Sequence, residues 1–213
     1  MMTSLQVPYR NIALNNFTYY ALSQQMETLP WQSIAYVNWD EFPYKPEVHF
    51  QVAHDNRRIF IHYSVQEEFV KAQYVRINEA VWEDSCVEFF VSFDGKASYY
   101  NIEFNVLGTG LIGAGSRTKE ERIRLEPETT SKIQTATTVV NVDGKKKWNI
   151  ILVIPTDVFV KDKIERLAGV TAHGNFFKCG DGLPNPHFLS WNKVEYPTPN
   201  FHLPDFFGEI VFE

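Results

Sequence analysis

The chain has 213 residues, of which 44% are hydrophobic and 15% aromatic, so it can bury a sizeable core. Its net charge of −6 and pI near 5.6 argue against a nucleic-acid-binding protein, whose contact surface is basic. The sequence has no apolar run of about 20 residues, the length that a helix needs to cross a bilayer.

Without a linker, repeat or low-complexity tract, the sequence predicts one domain over residues 1–213, in which residues 1–30 form an N-terminal extension. Segments rich in β-branched and aromatic residues predict strands from end to end. A turn at His54-Asp55-Asn56-Arg57 joins two of them. Besides a central hairpin, the predicted strands are 33–39, 48–52, 59–65, 123–125, 133–142, 148–154, 171–178, 188–191 and 208–212.

One helix is predicted to follow Pro155, because a proline with Thr156 and Asp157 is typical of a helix start. Its apolar stripe would consist of Val158, Phe159, Ile164 and Leu167. The glycine-rich segment 108–115 is predicted to be a loop or an irregular edge. Short strands with a single helix indicate an all-β fold, an antiparallel β-sandwich.

Residues 81–106 predict a β-hairpin with two unlike faces, because side chains alternate at period two on both sides of the turn Asp94-Gly95-Lys96-Ala97. The apolar face carries Val87, Phe89, Val91, Phe93, Tyr100, Ile102, Phe104 and Val106. The other face carries Trp82, Asp84, Cys86, Glu88, Ser92, Tyr99, Asn101, Glu103 and Asn105. Two neighbouring strands therefore present carboxylates, amides and aromatic rings on one surface.

This second face suits a sugar, whose C–H patches lie on an aromatic ring and whose hydroxyls need donors and acceptors. A simpler interpretation is a solvated sheet face, which antiparallel sheets commonly have. Glu88 and Glu103 favour the sugar, because like charges across a ladder are unfavourable unless a ligand, a cation or an arginine lies nearby.

Known catalytic motifs are absent from the sequence: it has no phosphate-binding glycine loop, no His-Glu-x-x-His and no Gly-x-Ser-x-Gly. The six histidines show no metal-ligand spacing. Glu88 and Glu103 leave one catalytic alternative open, since a glycoside hydrolase uses two carboxylates as acid and base.

Cys86 and Cys179 allow one disulfide, but the lack of a secretory signal favours free buried thiols. The first ten residues lack the charged start and apolar stretch of a signal peptide. We therefore predict no export signal in this chain, and an extracytoplasmic location if a leader has been removed.

Four segments carry a resemblance to a known family: WEDSCVEFFV at 82–91, NFFKCGD at 175–181, HFLSWN at 187–192 and FFGEI at 206–210. In this order they resemble family 9 carbohydrate-binding modules, in the form of stand-alone family-9-like proteins of gut Bacteroidetes. The resemblance spans residues 30–213. It implies an immunoglobulin-like sandwich of the DOMON-like class that binds sugars without cleaving them.

In that family two tryptophans clamp a sugar ring, and polar side chains of adjacent strands bind its hydroxyls. Trp82 and Trp191 match the two tryptophans, and Glu88 matches an acidic sugar contact. Asn105 falls where an asparagine is expected, whereas Glu103 stands where the resemblance implies an arginine, a departure that bears on the family's preference for glucan or xylan chain ends. The predicted sugar-binding residues are Trp82, Glu88, Asn101, Glu103, Asn105 and Trp191.

The resemblance also implies cofactors, since family members bind structural calcium. Asp55, Asp84 and Asp94 are candidate ligands, although the sequence has no clustered aspartate motif. Related DOMON sandwiches hold haem, and Met26 would be the available methionine ligand. We predict a non-catalytic module that binds a mono- or oligosaccharide and supports polysaccharide use, with a haem-binding redox module or a glycoside hydrolase as alternatives.

Overall fold

The structure, a computed structural model, describes residues 3–213 apart from the side chain of Lys119. Its helices are α1 (Tyr19–Met26) and α2 (Pro127–Thr130). Its strands are β1 (Ser4–Val7), β2 (Gln32–Ser33), β3 (Tyr36–Val37), β4 (Glu47–His54), β5 (Arg58–Glu67), β6 (Cys86–Ser92), β7 (Ser98–Asn105), β8 (Gly110–Ser116), β9 (Ile123–Arg124), β10 (Gln134–Val142), β11 (Lys145–Pro155), β12 (Thr171–Cys179), β13 (Phe188–Ser190) and β14 (Gly208–Phe212).

The strands form two sheets that pack face to face. Sheet A has the order β1-β14-β12-β6-β7-β8-β9, and β13 joins β12 to β3. Sheet B has the order β10-β11-β5-β4-β2. Neighbouring strands are antiparallel except β1 and β14, which are parallel. The predicted all-β sandwich is therefore confirmed, with one parallel pair at the edge of sheet A.

The apolar face of the predicted hairpin packs in the core between the sheets, as its period-two pattern predicts. The ring of Phe176 stacks on Phe50 of sheet B, with centroids 4.0 Å apart, and on Phe89 of sheet A at 4.8 Å. Burying each such ring contributes about 1.5–3 kcal/mol. This packing leaves the opposite face of β6 and β7 on the outside of the sandwich.

The helix predicted after Pro155 is wrong: the segment forms one 3-10 turn, Thr156–Val158, followed by irregular backbone. Short i to i−3 bonds hold parts of the segment, such as Phe159 N to Thr156 O at 3.2 Å, and its later amides bond to the β4–β5 turn. Leu167 N donates to Asn56 O at 3.1 Å, and Ala168 N donates to Asn56 Oδ1 at 2.9 Å. Valine and phenylalanine are weak helix formers, so these tertiary bonds prevail.

Two strand predictions also need correction. The single strand predicted at 33–39 is two short strands, because β2 pairs with β4 in sheet B and β3 pairs with β13 in sheet A. The glycine-rich segment, predicted as a loop or an irregular edge, contains the regular strand β8. Gly113 lies opposite Asn101 on β7, where a Cβ atom would come 2.2 Å from Asn101 Oδ1. Glycine therefore permits a regular strand beside a bulky polar side chain.

Residues 3–30 pack on both sheets. Strand β1 pairs with β14, and α1 begins where Thr18 Oγ1 accepts a hydrogen bond from Ala21 N at 3.3 Å. Leu22 and Met26 are buried against the outer face of sheet B. These contacts support our proposal that the chain is one domain. No helix within residues 3–213 has the length and apolar character required to span a membrane.

Candidate functional site

Trp82 lies in a one-turn 3-10 helix, Val81–Glu83, rather than on a strand as the alternating pattern predicts. The loop after β12 holds this turn in place. Asp181 N donates to Trp82 O and Gly182 N donates to Glu83 O, both at 3.1 Å. Backbone bonds between two distant segments therefore fix the position of the indole.

A pocket of about 370 Å³ lies on the outer face of sheet A, over β6, β7 and β8. Four of the six predicted sugar-binding residues line it, namely Trp82, Glu88, Asn101 and Glu103. The rest of its lining comes from Leu111, Gly113, Arg122, Ile123, Arg124, Cys179, Asp181, Phe188, Pro199, Asn200, Phe201 and His202. The pocket thus combines aromatic rings with a dense set of hydrogen-bonding groups.

Glu88 and Glu103 face each other across β6 and β7 and are only 3% and 5% exposed. Cys179 Sγ donates to Glu88 Oε1 at 3.0 Å, and Asn101 Nδ2 donates to Glu103 Oε1 at 2.8 Å. Burial, and then the charge of Glu103, raises the pKa of Glu88 well above its usual range. Burial raises the pKa of Glu103 to about 7. Near neutral pH the pair therefore retains a proton, so it can both donate to and accept from hydroxyl groups.

Two arginines beside β9 lie next to these carboxylates. Arg122 Nη2 donates to Asn101 Oδ1 at 2.5 Å, and its guanidinium carbon lies 3.4 Å from the centroid of the Tyr99 ring. The guanidinium carbon of Arg124 lies 5.1 Å from the centroid of the Trp82 ring. Both charges oppose the upward shift in the pKa of Glu103. They place positive charge near the facing carboxylates, although within the described part of the chain neither arginine forms an ion pair with Glu88 or Glu103.

Sequence reasoning missed the arginines and most of the remaining lining. Arg122 and Arg124 flank Ile123 at the start of a predicted strand, and this alternation was the available signal. Phe201 stacks on Phe177 with centroids 4.1 Å apart, but it lies in an irregular segment without periodicity. Only tertiary structure brings that segment to the pocket.

Asn105 does not line this pocket. It is fully buried, and its Nδ2 donates to Asp84 Oδ2 at 2.9 Å and to Tyr74 O at 2.8 Å. Its Oδ1 accepts from Leu107 N at 3.1 Å and from Thr109 N at 3.0 Å. These bonds use the donors and acceptors of the amide to hold the turn after β7, so we leave Asn105 out of the proposed site.

Trp191 also lies away from the pocket lining. It is 5% exposed and packs edge-on against Phe176 and Phe50, with centroids 5.7 and 6.3 Å away. The ring belongs to the core between the sheets, as large aromatic side chains usually do. Phe188 and Phe201 are the other aromatic rings that line the pocket with Trp82.

The three candidate calcium ligands do not form a common site. Asp55 accepts from Arg58 N at 2.8 Å, Asp94 accepts from Ser98 Oγ at 2.7 Å, and Asp84 accepts from Asn105. Each carboxylate holds a different turn, so the set does not fit a calcium ion. Met26, the candidate haem ligand, is buried between α1 and sheet B and does not line the pocket.

Cys86 and Cys179 are free thiols that face each other across β6 and β12. With Glu88 they form the one cluster, among the described residues, whose three potential ligand atoms lie within 4.8 Å of one another. Thiolates and a carboxylate suit zinc by composition. Burial raises the pKa of Cys86 to about 12 and that of Cys179 well above its usual range. The thiols therefore stay protonated, and the Cys179 thiol serves as a hydrogen-bond donor to Glu88.

Solved structures with the same architecture include a putative carbohydrate-binding protein from Bacteroides uniformis, 38% identical over 100% of both chains, with a TM-score of 0.92. A family 9 carbohydrate-binding module from Caldicellulosiruptor kristjanssonii also matches. Its complex with glucose is 13% identical, with a TM-score of 0.60 over 99% of this chain and 96% of that one. Its complex with cellotriose is 12% identical, with a TM-score of 0.61 over 99% and 94%. At these identities the module shows the fold alone.

The family comparison covers most of the chain. No curated protein gives a significant match. The model of carbohydrate-binding family 9 matches residues 20–212, which include both sheets from β2 onward and every residue that lines the pocket. The chain therefore belongs to carbohydrate-binding family 9.

Proposed function

We propose that the pocket binds a sugar chain end or a short oligosaccharide and does not cleave it. One pyranose ring stacks on Trp82, and its hydroxyls bond to Glu88, Asn101 and Glu103. The observation that carries this proposal is the presence of these four side chains, with Arg124, around one pocket. Membership of a carbohydrate-binding family supports sugar as the ligand.

The size and chemistry of the pocket favour a small neutral ligand. A volume of about 370 Å³ is at the lower end of the range for small-molecule sites. Arg122 and Arg124 are hydrogen-bond donors, Asn101 has both a donor and an acceptor, and the raised pKa values favour a protonated carboxyl group in the pair. A hydroxyl can both donate and accept, so each can bond to this mixed set. Holding a chain end in this way would support polysaccharide use by a partner enzyme.

Calorimetric titration tests the proposal. Glucose and cello-oligosaccharides come first, since the Caldicellulosiruptor module was solved with glucose and cellotriose, followed by other mono- and oligosaccharides. Trp82→Ala should weaken binding of the best sugar by about 1–3 kcal/mol, because the stacking surface is lost.

A matched control is Tyr36→Ala, which removes an exposed aromatic ring that does not line the pocket. It should leave the affinity of that sugar unchanged. The Trp82→Ala protein should keep the wild-type circular dichroism spectrum and nearly the same melting temperature. Unfolding of this variant, or an unchanged sugar affinity, would contradict the proposal.

The facing carboxylates make a glycoside hydrolase the second candidate, and Glu88→Gln separates it from binding. The substitution keeps the shape and one acceptor, so the affinity for sugar should fall by about 1–3 kcal/mol. Neither form should release reducing sugar from any oligosaccharide. Release by the wild-type protein that Glu88→Gln abolishes would identify the pair as general acid and base instead.

A further inference from the structure

A second aromatic and polar surface lies on the opposite side of the sandwich, on the outer face of sheet B. Two adjoining hollows of about 340 and 310 Å³ share one lining residue, Trp31. The first hollow also contains Glu47, His49, Ser64, Gln66 and Lys147, which we call, together with Trp31, the Trp31 platform. The second hollow continues past Trp31 along Ser23, Gln24, Glu27, Gln51 and His62.

The platform follows from strand register. On β4 and β5, Glu47 is paired with Gln66 and His49 with Ser64, while Lys147 of β11 is paired with Gln66 from the other side. Residues paired in register have their side chains on the same face of the sheet. Because the alternate residues of these strands fill the core, the polar side chains are held together on the outside.

Trp31 packs against a buried neighbour although 46% of its surface is exposed. Its ring centroid lies 5.0 Å from that of His62, which is buried. His62 is bonded in turn to Tyr19 Oη and to Gln51 Oε1, both at 3.1 Å, and Gln51 Nε2 donates to Leu29 O at 2.7 Å. An exposed indole fixed by a bonded neighbour can bind a ligand with little loss of conformational entropy.

Several polar groups of the platform are left for a ligand. Across residues 3–213, leaving aside the side chain of Lys119, no hydrogen bond or salt bridge joins the side chains of Ser64, Gln66 or Lys147 to other protein groups. Glu47 and Lys147 carry opposite charges at the two sides of Gln66, so the hollow has no strong charge of either sign. An uncharged ligand rich in hydroxyls matches this set better than a phosphate or a charged peptide.

We propose that the Trp31 platform is a second carbohydrate site, which binds a segment of uncharged polysaccharide with one pyranose ring on Trp31. The two hollows on either side of the indole accommodate the neighbouring rings of a continuous chain. The pocket and the platform lie on opposite faces of the sandwich, so the platform does not depend on the proposed function of the pocket. A protein with sugar bound in both the pocket and the platform would hold polysaccharide with higher avidity or link two polysaccharide chains.

The test uses the indole N–H signals of the protein labelled with ¹⁵N-tryptophan, since the chain has five tryptophans. The Trp31 signal is assigned with Trp31→Phe. The probes are soluble mixed-linkage β-glucan, xyloglucan, arabinoxylan and galactomannan. At least one should shift the Trp31 signal, both in the wild-type protein and in Trp82→Ala. In the Trp82→Ala background, Trp31→Ala should weaken binding of that polysaccharide about tenfold or more.

Tyr36→Ala is the matched control, because Tyr36 is 47% exposed and lines neither hollow. It should leave polysaccharide binding unchanged. The proposal is overturned if no probe shifts the Trp31 signal or if the shift disappears in Trp82→Ala. It is also overturned if the signal depends on protein concentration alone, which would make the face an interface between copies of the chain. Failure of the pocket proposal would instead appear as a Trp82 signal that no sugar moves.

Discussion

Buried carboxylates lie on both sides of β12, and they have different neighbours. The inner set consists of Glu67, and the outer set consists of Glu88 and Glu103. On the core side, Glu67 accepts from Trp148 Nε1 at 2.7 Å and lies 3.1 Å from the ammonium nitrogen of Lys178. On the outer side, Glu88 and Glu103 contact a thiol and an amide. Among the described residues, neither of them has a cation within 4.0 Å. A buried acid paired with a buried cation serves the fold, whereas two acids without a cation in contact, facing a pocket, are available to a ligand.

Consecutive residues of β12 separate the two sets. Lys178 points into the core toward Glu67, and Cys179 points outward to Glu88. Lys178 Nζ also lies 2.7 Å from His187 Nε2 and donates to Cys179 O at 2.7 Å. Burial, and then the charge of Lys178, lowers the pKa of His187 to about 3, so this histidine is neutral. The inner cluster thus has one acid and one base that neutralise each other.

Lys178→Met should have the largest effect on stability, because it leaves Glu67 buried without a cation. Removing one partner of a buried ion pair costs about 3–5 kcal/mol. The free energy of unfolding, measured in urea, should fall by that amount, while the folded fraction should bind sugar as before.

Lys193→Met provides the control, since Lys193 pairs with Glu195 on the exposed surface. Its urea midpoint should match that of the wild-type protein. The contrast between the two carboxylate sets would be refuted if both lysine variants were equally stable.

The outer set should make the stability of the protein depend on pH. Folding raises the pKa of Glu103 from 4.5 to about 7, so the folded state holds the proton more tightly than the unfolded state. The stability that this provides is complete below pH 4.5 and is lost as the pH rises through about 7. Between pH 5 and pH 8, Glu103→Gln should therefore gain up to about 3 kcal/mol relative to wild type.

Urea unfolding at both pH values measures this difference. The groups that face Glu103 are Glu88, Asp181, Arg122 and Arg124. Removing the charge of Glu103 also lessens the rise in the pKa of Glu88, which changes the stability in the same direction. Glu195→Gln, at an exposed glutamate, should track the wild-type pH profile. A Glu103→Gln difference that stays constant from pH 5 to pH 8 would show that Glu103 is ionised throughout.

Two asparagines of β7 differ in whether their side chains face the pocket. The amide of Asn105 is bonded to groups that lie away from the pocket, whereas the amide of Asn101 is bonded to Glu103 and Arg122 and lines the pocket. Asn105→Ala should lower the free energy of unfolding by about 1–3 kcal/mol, because buried partners lose their bonds, without altering sugar affinity. Asn101→Ala should weaken sugar binding and have the smaller effect on stability. Calorimetry measures the sugar affinity, and urea unfolding measures the stability. If Asn105→Ala weakened sugar binding and Asn101→Ala mainly lowered stability, this assignment would be wrong.

The fold and the strand residues of the pocket, Glu88, Asn101 and Glu103, were predictable because they depend on alternation. Period two separates Val87 and Phe89 from Glu88, and strand pairing then brings Glu103 opposite Glu88. Trp82 reaches the pocket for a different reason than the pattern indicates, because a 3-10 turn and the loop at Asp181 position it.

The opposite side of the pocket was not predictable in this way. Phe201 and His202 lie in backbone without regular structure, so no periodicity marks them. The resemblance assigned the second tryptophan to Trp191, but a large apolar ring next to a core strand gains more from burial between the sheets. Such placements depend on packing between distant segments, which a single sequence does not specify.

A crystal structure of the wild-type protein with its tightest-binding sugar tests the central claim most directly. We expect a pyranose ring within about 4 Å of the Trp82 indole. Its hydroxyls should lie within about 3 Å of Glu88, Asn101 or Glu103. A sugar bound elsewhere on the protein, with the pocket over β6 and β7 filled only by water, would contradict it.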